Sequence, residues 1–451
     1  MSEIRGKHLY IENLGCAKNQ VDAEIMLNEL VGSGFVATEE ASEADLILIN
    51  TCGFIESARQ ESIQTFFTLK RENPQAKVVL TGCLSQRYAK ELENELVEAD
   101  GIFGNRDLRQ ITALATEVLR GNRVALSPQY PLIEKEISSR SQLFNYPGSA
   151  YVKISEGCNH RCRYCAIPLI RGSLRSRPLQ TIVQEVHSLV NNNTKEINLI
   201  AQDLASYGTD TGQSRFMELL EHLVAIEGDF RLRLLYIHPD AFPLELIDFI
   251  KANAKVIPYF DLPFQHAHAD VLRPMGRKGD KESYLALIKK IREALPQATI
   301  RSTIMLGFTG ETEQTFAHLL EFLTEAHLDW VGSFVYSLEE GTPAYKDKTK
   351  SQYKAMVKKA TAWQKELEKV QQEITVKRLQ RLVGTQQQVL LEELVEGEDL
   401  AIGRTEQQAP EVDGLTVVLG RNLVPGTVIR CGIRRVNGID LEAVPITVES
   451  I

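Results

Sequence analysis

The sequence predicts an α/β chain in three parts: an amino-terminal parallel-sheet α/β domain over 5–122, a central open (βα)6 partial barrel over 141–378, and a small all-β barrel over 379–448. Three observations predict it. Short apolar runs alternate with helix-period segments through most of the chain, the pattern of parallel strands joined by crossover helices. Six of the seven cysteines sit on loops that follow such runs. From Thr385 the rhythm changes to short runs separated by Gly and Pro turns.

Composition narrows the class. At 451 residues the length suits two or three domains. Hydrophobic content of 43% and charged content of 25% are ordinary for a soluble globular protein. No apolar run approaches a membrane span, and Met1-Ser2-Glu3-Ile4-Arg5 has no signal-peptide core. A cytoplasmic location is expected, where thiols stay reduced. Seven cysteines, an odd number, argue for metal or cluster ligation over a disulfide framework. A net charge of −9 argues against a general nucleic-acid binder.

In the amino-terminal part, three apolar runs each lead to a cysteine. His8-Leu9-Tyr10-Ile11 leads to Cys16, Asp45-Leu46-Ile47-Leu48-Ile49-Asn50 to Cys52, and Lys77-Val78-Val79-Leu80-Thr81 to Cys83. Helix-period segments lie between, roughly Gln20–Ser33, Ser57–Asn73 and Gln86–Glu98. The cysteines therefore fall at the carboxyl ends of parallel strands, where open α/β sheets build their sites. Each lies beside a glycine that permits close approach. Shared ligation of one group is the sharper reading. Three cysteines buried as small hydrophobes is the plainer one.

The run Gly157-Cys158-Asn159-His160-Arg161-Cys162-Arg163-Tyr164-Cys165 spaces its cysteines Cys-x3-Cys-x2-Cys, with no fourth cysteine or suitably spaced histidine nearby. Structural zinc is closed by four ligands, and a 4Fe-4S cluster is normally held by four thiolates. Three thiolates leave a position open to an exogenous ligand, so the loop reads as reactive. A zinc loop completed by a distant residue, or three unrelated cysteines, are the alternatives. His160 lies so close in sequence that it would strain a tetrahedral site.

The central part continues the rhythm. Strand-like runs are Tyr151–Ser155, Glu196–Ala201, Leu232–Ile237, Tyr259–Leu262, Thr299–Met305 and Trp330–Tyr336, with helical patterns between them. Six βα units are too few for a closed eightfold barrel and suggest an open one with lateral access. The Cys158 loop follows the first strand, on the catalytic face. Candidate contacts at other strand ends are Gln202 and Asp203, His238, then Pro263, Gln265, His266 and His268. Gly307-Phe308-Thr309-Gly310-Glu311-Thr312 follows the fifth strand and opens a helix, whose amino terminus favours negative charge. Tyr353–Leu382, with Trp363, reads as a connecting helix.

The last part has five strand-like runs, suggesting a small closed barrel. From Thr385 it holds eleven acidic residues and five arginines, a net of −6, with no Lys, Phe, Tyr or Trp. Glu392, Glu393, Glu396 and Glu398 cluster in it. Such a barrel should repel phosphate and attract a basic protein. Cys431 lies in one strand and reads as core.

The Cys158 loop resembles that of the radical S-adenosylmethionine (SAM) superfamily, and the three parts in order resemble the methylthiotransferase family, whose carboxyl-terminal module is a TRAM-type barrel. Several runs look like the branch that modifies an aspartate of small-subunit ribosomal protein twelve: Tyr151-Val152-Lys153-Ile154-Ser155-Glu156-Gly157-Cys158, Leu174-Arg175-Ser176-Arg177-Pro178, Phe264-Gln265-His266, Glu340-Gly341-Thr342-Pro343-Ala344-Tyr345 and Ala409-Pro410-Glu411-Val412-Asp413-Gly414. The resemblance implies two 4Fe-4S clusters. One, on Cys158, Cys162 and Cys165, would cleave SAM. The other, on Cys16, Cys52 and Cys83, would carry or activate sulfur. Tyr164, Gln202, Gly307 and Gly310 are the candidate SAM contacts. The expected partners are ribosomal protein twelve, free or in its subunit, an electron donor such as flavodoxin or ferredoxin, and a sulfur source. No membrane is expected, and tRNA is not the expected substrate. One departure is Thr309, where the family usually has proline. Methylthiolation of a tRNA adenosine is the first alternative, and a non-catalytic binding protein with structural metal the second.

Overall fold

β1 (His8–Asn13) is followed directly by α1 (Ala17–Ser33), then β2 (Val36–Ala37), β3 (Leu46–Thr51), α2 (Glu56–Glu72), β4 (Lys77–Thr81), α3 (Gly82–Arg87), α4 (Ala89–Glu95), β5 (Gly101–Phe103), α5 (Ile111–Leu119) and β6 (Val124–Leu126). These bounds come from a computed structural model describing residues 4–128, 140, 142–347 and 350–446. The six strands are all parallel, in the order β2-β1-β3-β4-β5-β6. Ile47, Ile49, Val78 and Leu80 pack with Phe66 and Ile102 in one core. Both faces of β3 and β4 are covered, which is why these strands read as unbroken apolar runs. The strand order switches direction between β1 and β3, so the loops carrying Cys16 and Cys52 flank the crevice that such a switch opens.

Two helix starts differ from the sequence expectation. α1 begins at Ala17 rather than Gln20, with Cys16 as its extended N-cap residue. Its first turns bury Lys18, Asn19, Gln20, Asp22 and Glu24, polar residues that hide the helical period. The segment expected as one helix over Gln86–Glu98 is two, α3 and α4, and starts at Gly82. Cys83 therefore lies in a first helical turn. β2, β5 and β6, two or three residues each, carry too little pattern to read.

The chain continues through β7 (Ser149–Lys153), β8 (Ser155–Glu156), α6 (Ile167–Arg171), β9 (Arg175–Ser176), α7 (Leu179–Asn191), β10 (Glu196–Ile200), α8 (Phe216–Val224), β11 (Arg231–Leu234), α9 (Glu245–Ala252), β12 (Tyr259–Asp261), α10 (Ala269–Met275), α11 (Lys281–Ala294), β13 (Thr299–Leu306), α12 (Glu313–Ala326), β14 (Trp330–Val335) and α13 (Lys350–Gln380). β7, β10 and β11 form one sheet, and β12, β13 and β14 another. Backbone bonds link them: Leu232 N to Lys255 O (2.7 Å), Ile257 N to Leu232 O (2.8 Å) and Ile237 N to Asp261 O (3.0 Å). The six strands thus follow one another in chain order, as an open (βα)6 barrel requires. Trp363 anchors α13: its ring stacks on Phe316 at 4.9 Å and its indole donates to Glu313 (2.9 Å).

The chain divides into two compact units. One contains Met1–Phe144, Lys153–His160 and Cys165–Glu185; the other contains Asn145–Val152, Arg161–Tyr164 and Val186–Ile451. Cys158 and Cys165 belong to the first unit with Cys16, Cys52 and Cys83, and Cys162 to the second.

The carboxyl-terminal strands β15 (Gln386–Leu394), β16 (Leu400–Thr405), β17 (Thr416–Leu419), β18 (Val428–Asn437) and β19 (Asp440–Pro445) close into a barrel, order β15-β16-β17-β19-β18. Val389, Leu391, Val418, Cys431 and Ala443 fill it. Burial pushes the Cys431 thiol up to about 11. The expected acidic face needs one correction. Glu393, Glu396 and Glu398 are exposed, but Glu392 is buried and accepts from Arg404 (2.7 Å). A buried arginine requires a partner, and the strand offered this carboxylate. Arg404 also donates to Glu196 on β10 (2.8 Å), which accepts from Arg233 on β11 as well (2.9 Å). Tyr259 donates to Asp413 (2.6 Å) and Trp330 to the Gln407 carbonyl (2.7 Å). The barrel is thereby hydrogen-bonded to the central strands.

Glu196 yields a stability prediction. Burial alone would raise its pKa, but Arg233 and Arg404 bring it down to about 2. A carboxyl lowered from its ordinary 4.5 to about 2 contributes stability that is fully present above 4.5 and disappears as pH falls through about 2. Glu196→Gln should therefore cost about 3–5 kcal/mol at pH 7, because two buried guanidiniums lose their shared partner. Urea unfolding at pH 7 and at pH 2–3 checks this. The difference between variant and native chain should shrink on the acid side.

Candidate active site

In the first unit, three loops meet at the carboxyl edge of the sheet. A Cβ placed on Gly15 would lie 3.2 Å from the Cys52 Cβ, and one on Gly53 would lie 2.7 Å from the Cys83 carbonyl oxygen. The turns preceding or following Cys16, Cys52 and Cys83 are thus packed against one another. Asn19 and Asn50 knit them together. Asn19 donates to the Thr51 carbonyl (2.9 Å), and Asn50 donates to Asn13 Oδ1 (2.8 Å) and to the Asn19 carbonyl (2.6 Å). Ser62 on α2 accepts from the Cys52 amide (3.2 Å).

The three sulfurs have different surroundings. Cys16 is exposed, Cys52 half-buried and Cys83 buried. Burial pushes the Cys83 thiol up to about 12; Arg171 opposes the shift, while Cys16 and Cys52 add to it. Burial also raises Cys52, with Cys16 again adding to the rise. The thiols therefore resist carrying charge together unless a cation compensates. Two N–H donors reach the Cys83 sulfur at 3.4 Å, the Asn105 amide and the Arg171 guanidinium.

The Cys158 loop is shaped by its backbone. Gly157 has φ +74, and a Cβ there would lie 2.1 Å from the Ser173 carbonyl oxygen, so this turn accepts only glycine. The Cys158 amide donates to the Gly172 carbonyl (3.2 Å), and Asn159 Oδ1 accepts from the Leu174 amide (3.0 Å). The His160 amide points at the Cys158 sulfur and the Ile167 amide at the Cys165 sulfur, both at 3.4 Å. Beneath the loop, Glu156 accepts from Arg171 (2.8 Å) and Lys153 (2.6 Å). Burial alone would raise Glu156, but Arg171 and Lys153 hold it well below the usual carboxylate range.

In the second unit the strand ends carry the other candidates. Tyr164 is buried, its hydroxyl accepting from Arg277 (3.1 and 3.3 Å) and its ring edge-on to Phe308 at 6.1 Å. Gln202 has both side-chain amide atoms buried without a hydrogen-bond partner. Gly307 and Gly310 both have positive φ. A Cβ on Gly307 would lie 2.8 Å from the Ala360 Cβ, so this glycine lets α13 pack closely. Asp203, His238 and His268 cap short helical turns, accepting from the amides of Ala205 (3.2 Å), Asp240 (3.3 Å) and Asp270 (3.2 Å). His266 is buried, with Nε2 3.4 Å from Glu311. Two non-glycine residues at the ends of β11 and β12, Tyr236 (φ +69) and Gln265 (φ +67), hold left-handed backbone, strain of the kind that gathers at functional sites. Thr309 leaves its turn intact, and Thr312 and Thr315 form the capping box that starts α12.

Comparison with known proteins agrees with this architecture. The chain matches the Uncharacterized protein family UPF0004 over residues 8–104, the Radical SAM superfamily over 152–323 and the TRAM domain over 383–446. It is 40% identical to a ribosomal protein uS12 methylthiotransferase RimO from Treponema denticola, covering 96% of this chain and 99% of that one. The corresponding RimO of Moorella thermoacetica is 41% identical, covering 92% and 94%. The chain belongs to the RimO family. Among solved structures, the radical SAM methyltransferase TsrM of Kitasatospora setae superposes with a TM-score of 0.55 at 15% identity, covering 75% of this chain and 77% of that one, which speaks to fold alone.

RimO proteins are radical SAM enzymes, and the family works with SAM and 4Fe-4S clusters. Among the described residues no group of three or more His, Cys, Asp or Glu is arranged to hold a single metal ion. The fit to a cluster rests on what surrounds the sulfurs. N–H donors aimed at cysteine sulfur are what iron–sulfur ligands accept, and they help set the cluster's potential. Cys83, Cys158 and Cys165 each have at least one.

Sequence reasoning gave no role to Asp22 or Arg171, and named Lys153 and Glu156 only as part of a family-like run. Each looks like an ordinary surface charge in one dimension. The available signal was position: Glu156 lies two residues before Cys158, and Asp22 lies on the helix opened by Cys16. The exposure gradient predicts a labelling order. Iodoacetamide at pH 7.5 on the reduced, iron-free chain should alkylate Cys16 first and leave Cys83 and Cys431 unlabelled until denaturant is added. Peptide mass spectrometry over time reads this, and early labelling of Cys83 would contradict its burial.

Proposed function

We propose that this chain methylthiolates the β-carbon of an aspartate in ribosomal protein uS12. The observation that carries the reading is the match, over nearly all of both chains, to uS12 methylthiotransferases, in a chain that has a three-cysteine set in each of two loop systems. Cys158, Cys162 and Cys165 would hold one 4Fe-4S cluster, and Cys16, Cys52 and Cys83 a second. So loaded, the enzyme would draw from one SAM a 5′-deoxyadenosyl radical able to take hydrogen from an unactivated carbon, from the second cluster the sulfur, and from a second SAM the methyl of the methylthio group.

The residues of the chain supply position. Three thiolates per cluster leave one iron position for an outside ligand. Gln202 is the best placed of the candidate SAM contacts, since its amide is buried and lacks a partner. The Tyr164 hydroxyl is taken by Arg277, which suits a residue that holds the loop after Cys162. Gly307 and Gly310 shape the turn at the end of β13. The exposed Glu393, Glu396 and Glu398 on a barrel segment of net −6 favour a basic protein over RNA as substrate. No described helix is long and apolar enough to cross a membrane. A cytoplasmic setting, a flavodoxin- or ferredoxin-type electron donor and a separate sulfur source complete the reading.

The two cysteine sets should act separately. Replacing Cys158, Cys162 and Cys165 by Ala should leave about half the iron and abolish SAM cleavage. Replacing Cys16, Cys52 and Cys83 should retain cleavage to 5′-deoxyadenosine but stop sulfur insertion. Iron and sulfide analysis with product chromatography tells the outcomes apart, and loss of all iron from either variant would mean one shared site.

The substrate test uses reconstituted enzyme with SAM, sulfide and reductant. It should add about 46 Da, CH3S replacing H, to uS12 or to a peptide spanning its target loop. tRNA under the same conditions should remain unmodified. Modified tRNA beside untouched uS12 would overturn the substrate while sparing the radical chemistry.

A further inference from the structure

Arg171 is 2% exposed and is the last residue of α6, the helix that follows Cys165. Its Nη1 donates to Glu156 (2.8 Å). Its Nη2 donates to Asp22 (2.8 Å) and Asn19 Oδ1 (2.8 Å), and lies 3.4 Å from the Cys83 sulfur. Lys153 closes the circuit, bonded to both Asp22 and Glu156 at 2.6 Å. Two cations therefore face two carboxylates, all buried.

Such a cluster is poorly explained by stability. Buried ion pairs lose their hydration, and apolar replacements of similar volume are often as stable or more so. What an apolar replacement could not supply is a charged N–H donor at the Cys83 sulfur. The guanidinium is the right group: permanently charged, planar, and able to serve several acceptors with a fixed fork. Its place in the chain matters as well. Glu156 is two residues before Cys158, Arg171 six residues after Cys165, and Asp22 six residues after Cys16. One network grips the flanks of both cysteine loops.

We propose that Arg171 is a positioning residue that holds the Cys83 sulfur in place as a ligand and raises the reduction potential of the cluster bound there, while its bond to Glu156 fixes that ligand to the base of the Cys158 loop. The proposal rests on the reading that Cys16, Cys52 and Cys83 hold a cluster. A positive donor at a ligand sulfur favours the reduced, more negative cluster, so removing it favours the oxidised one.

The test uses the full chain with Cys158, Cys162 and Cys165 replaced by Ala, reconstituted with iron and sulfide, so that only the second cluster is present. Potentiometric titration followed by electron paramagnetic resonance reads its reduced fraction. Arg171→Met should lower the reduced-to-oxidised ratio at a fixed applied potential about tenfold, equivalent to about 59 mV for one electron. Arg171→Lys, which keeps the charge, should recover part of the shift. Asp22→Asn leaves the guanidinium less neutralised and should shift the ratio the opposite way, a sign reversal that a merely structural role would not give. If Arg171→Met fails to hold a cluster, the Lys and Asn variants decide by their opposed shifts. A loaded cluster with unchanged potential in these variants would overturn the role of Arg171. Absence of iron from the triple-alanine parent would instead overturn the underlying cluster assignment, and this inference with it.

Discussion

A parallel sheet sends the carboxyl end of every strand to the same edge, and that constraint underlies the site. β1, β3 and β4 are hydrogen-bonded neighbours, so residues 36 and 31 positions apart in sequence leave the sheet side by side. Nothing else in the chain has to bring Cys16, Cys52 and Cys83 together. The crossover helices that enforce parallel pairing also put helix starts at this edge: α1 begins just after Cys16 and α3 just before Cys83.

Concentrating thiols at one edge creates an electrostatic problem. Burial raises both Cys52 and Cys83, and the neighbouring sulfurs add to the rise. Water cannot solve it at a buried sulfur, so the fold brings in a guanidinium. That cation must itself be neutralised, which accounts for Asp22 and Glu156. Glu156 then needs Lys153 to balance the count. A similar chain of compensation runs through Glu196, Arg233, Arg404 and Glu392 in the second unit, a network that contains no cysteine and ties the barrel to β10 and β11. A sulfur lies among the partners of Arg171, and none lies among those of Glu196.

Much of this was legible in one dimension. Strands buried on both faces read as apolar runs, the Cys-x3-Cys-x2-Cys loop stood out by ligand count, and the barrel announced itself by its turns. What failed had physical causes. The start of α1 was missed because its first turns bury polar residues, so the apolar period is absent where the helix begins. Glu392 was read with its exposed neighbours because sequence does not say which face of a strand meets an arginine twelve residues on. The part played by His238 and His268 is hidden in sequence because a histidine at a strand end is ambiguous until its partner is seen; in the structure the Nδ1 of each caps the helical segment that follows. Arg171 and Lys153 were invisible because a buried cation is recognised only by the anions around it.

Cys158 and Cys165 differ from Cys83 in who donates to the sulfur, and this separates what can vary at each. Cys158 and Cys165 receive backbone amides from residues two positions along the chain. Those donors come with the loop conformation, which Gly157 and the Gly172–Leu174 strand of contacts fix. A side-chain substitution cannot remove them without moving the loop. Cys83 receives side chains, Asn105 from 22 residues away and Arg171 from 88. Those donors can be changed one at a time while the sheet stays intact. The donors at Cys158 and Cys165 therefore follow from local backbone geometry, whereas those at Cys83 are tertiary contacts that can be changed singly.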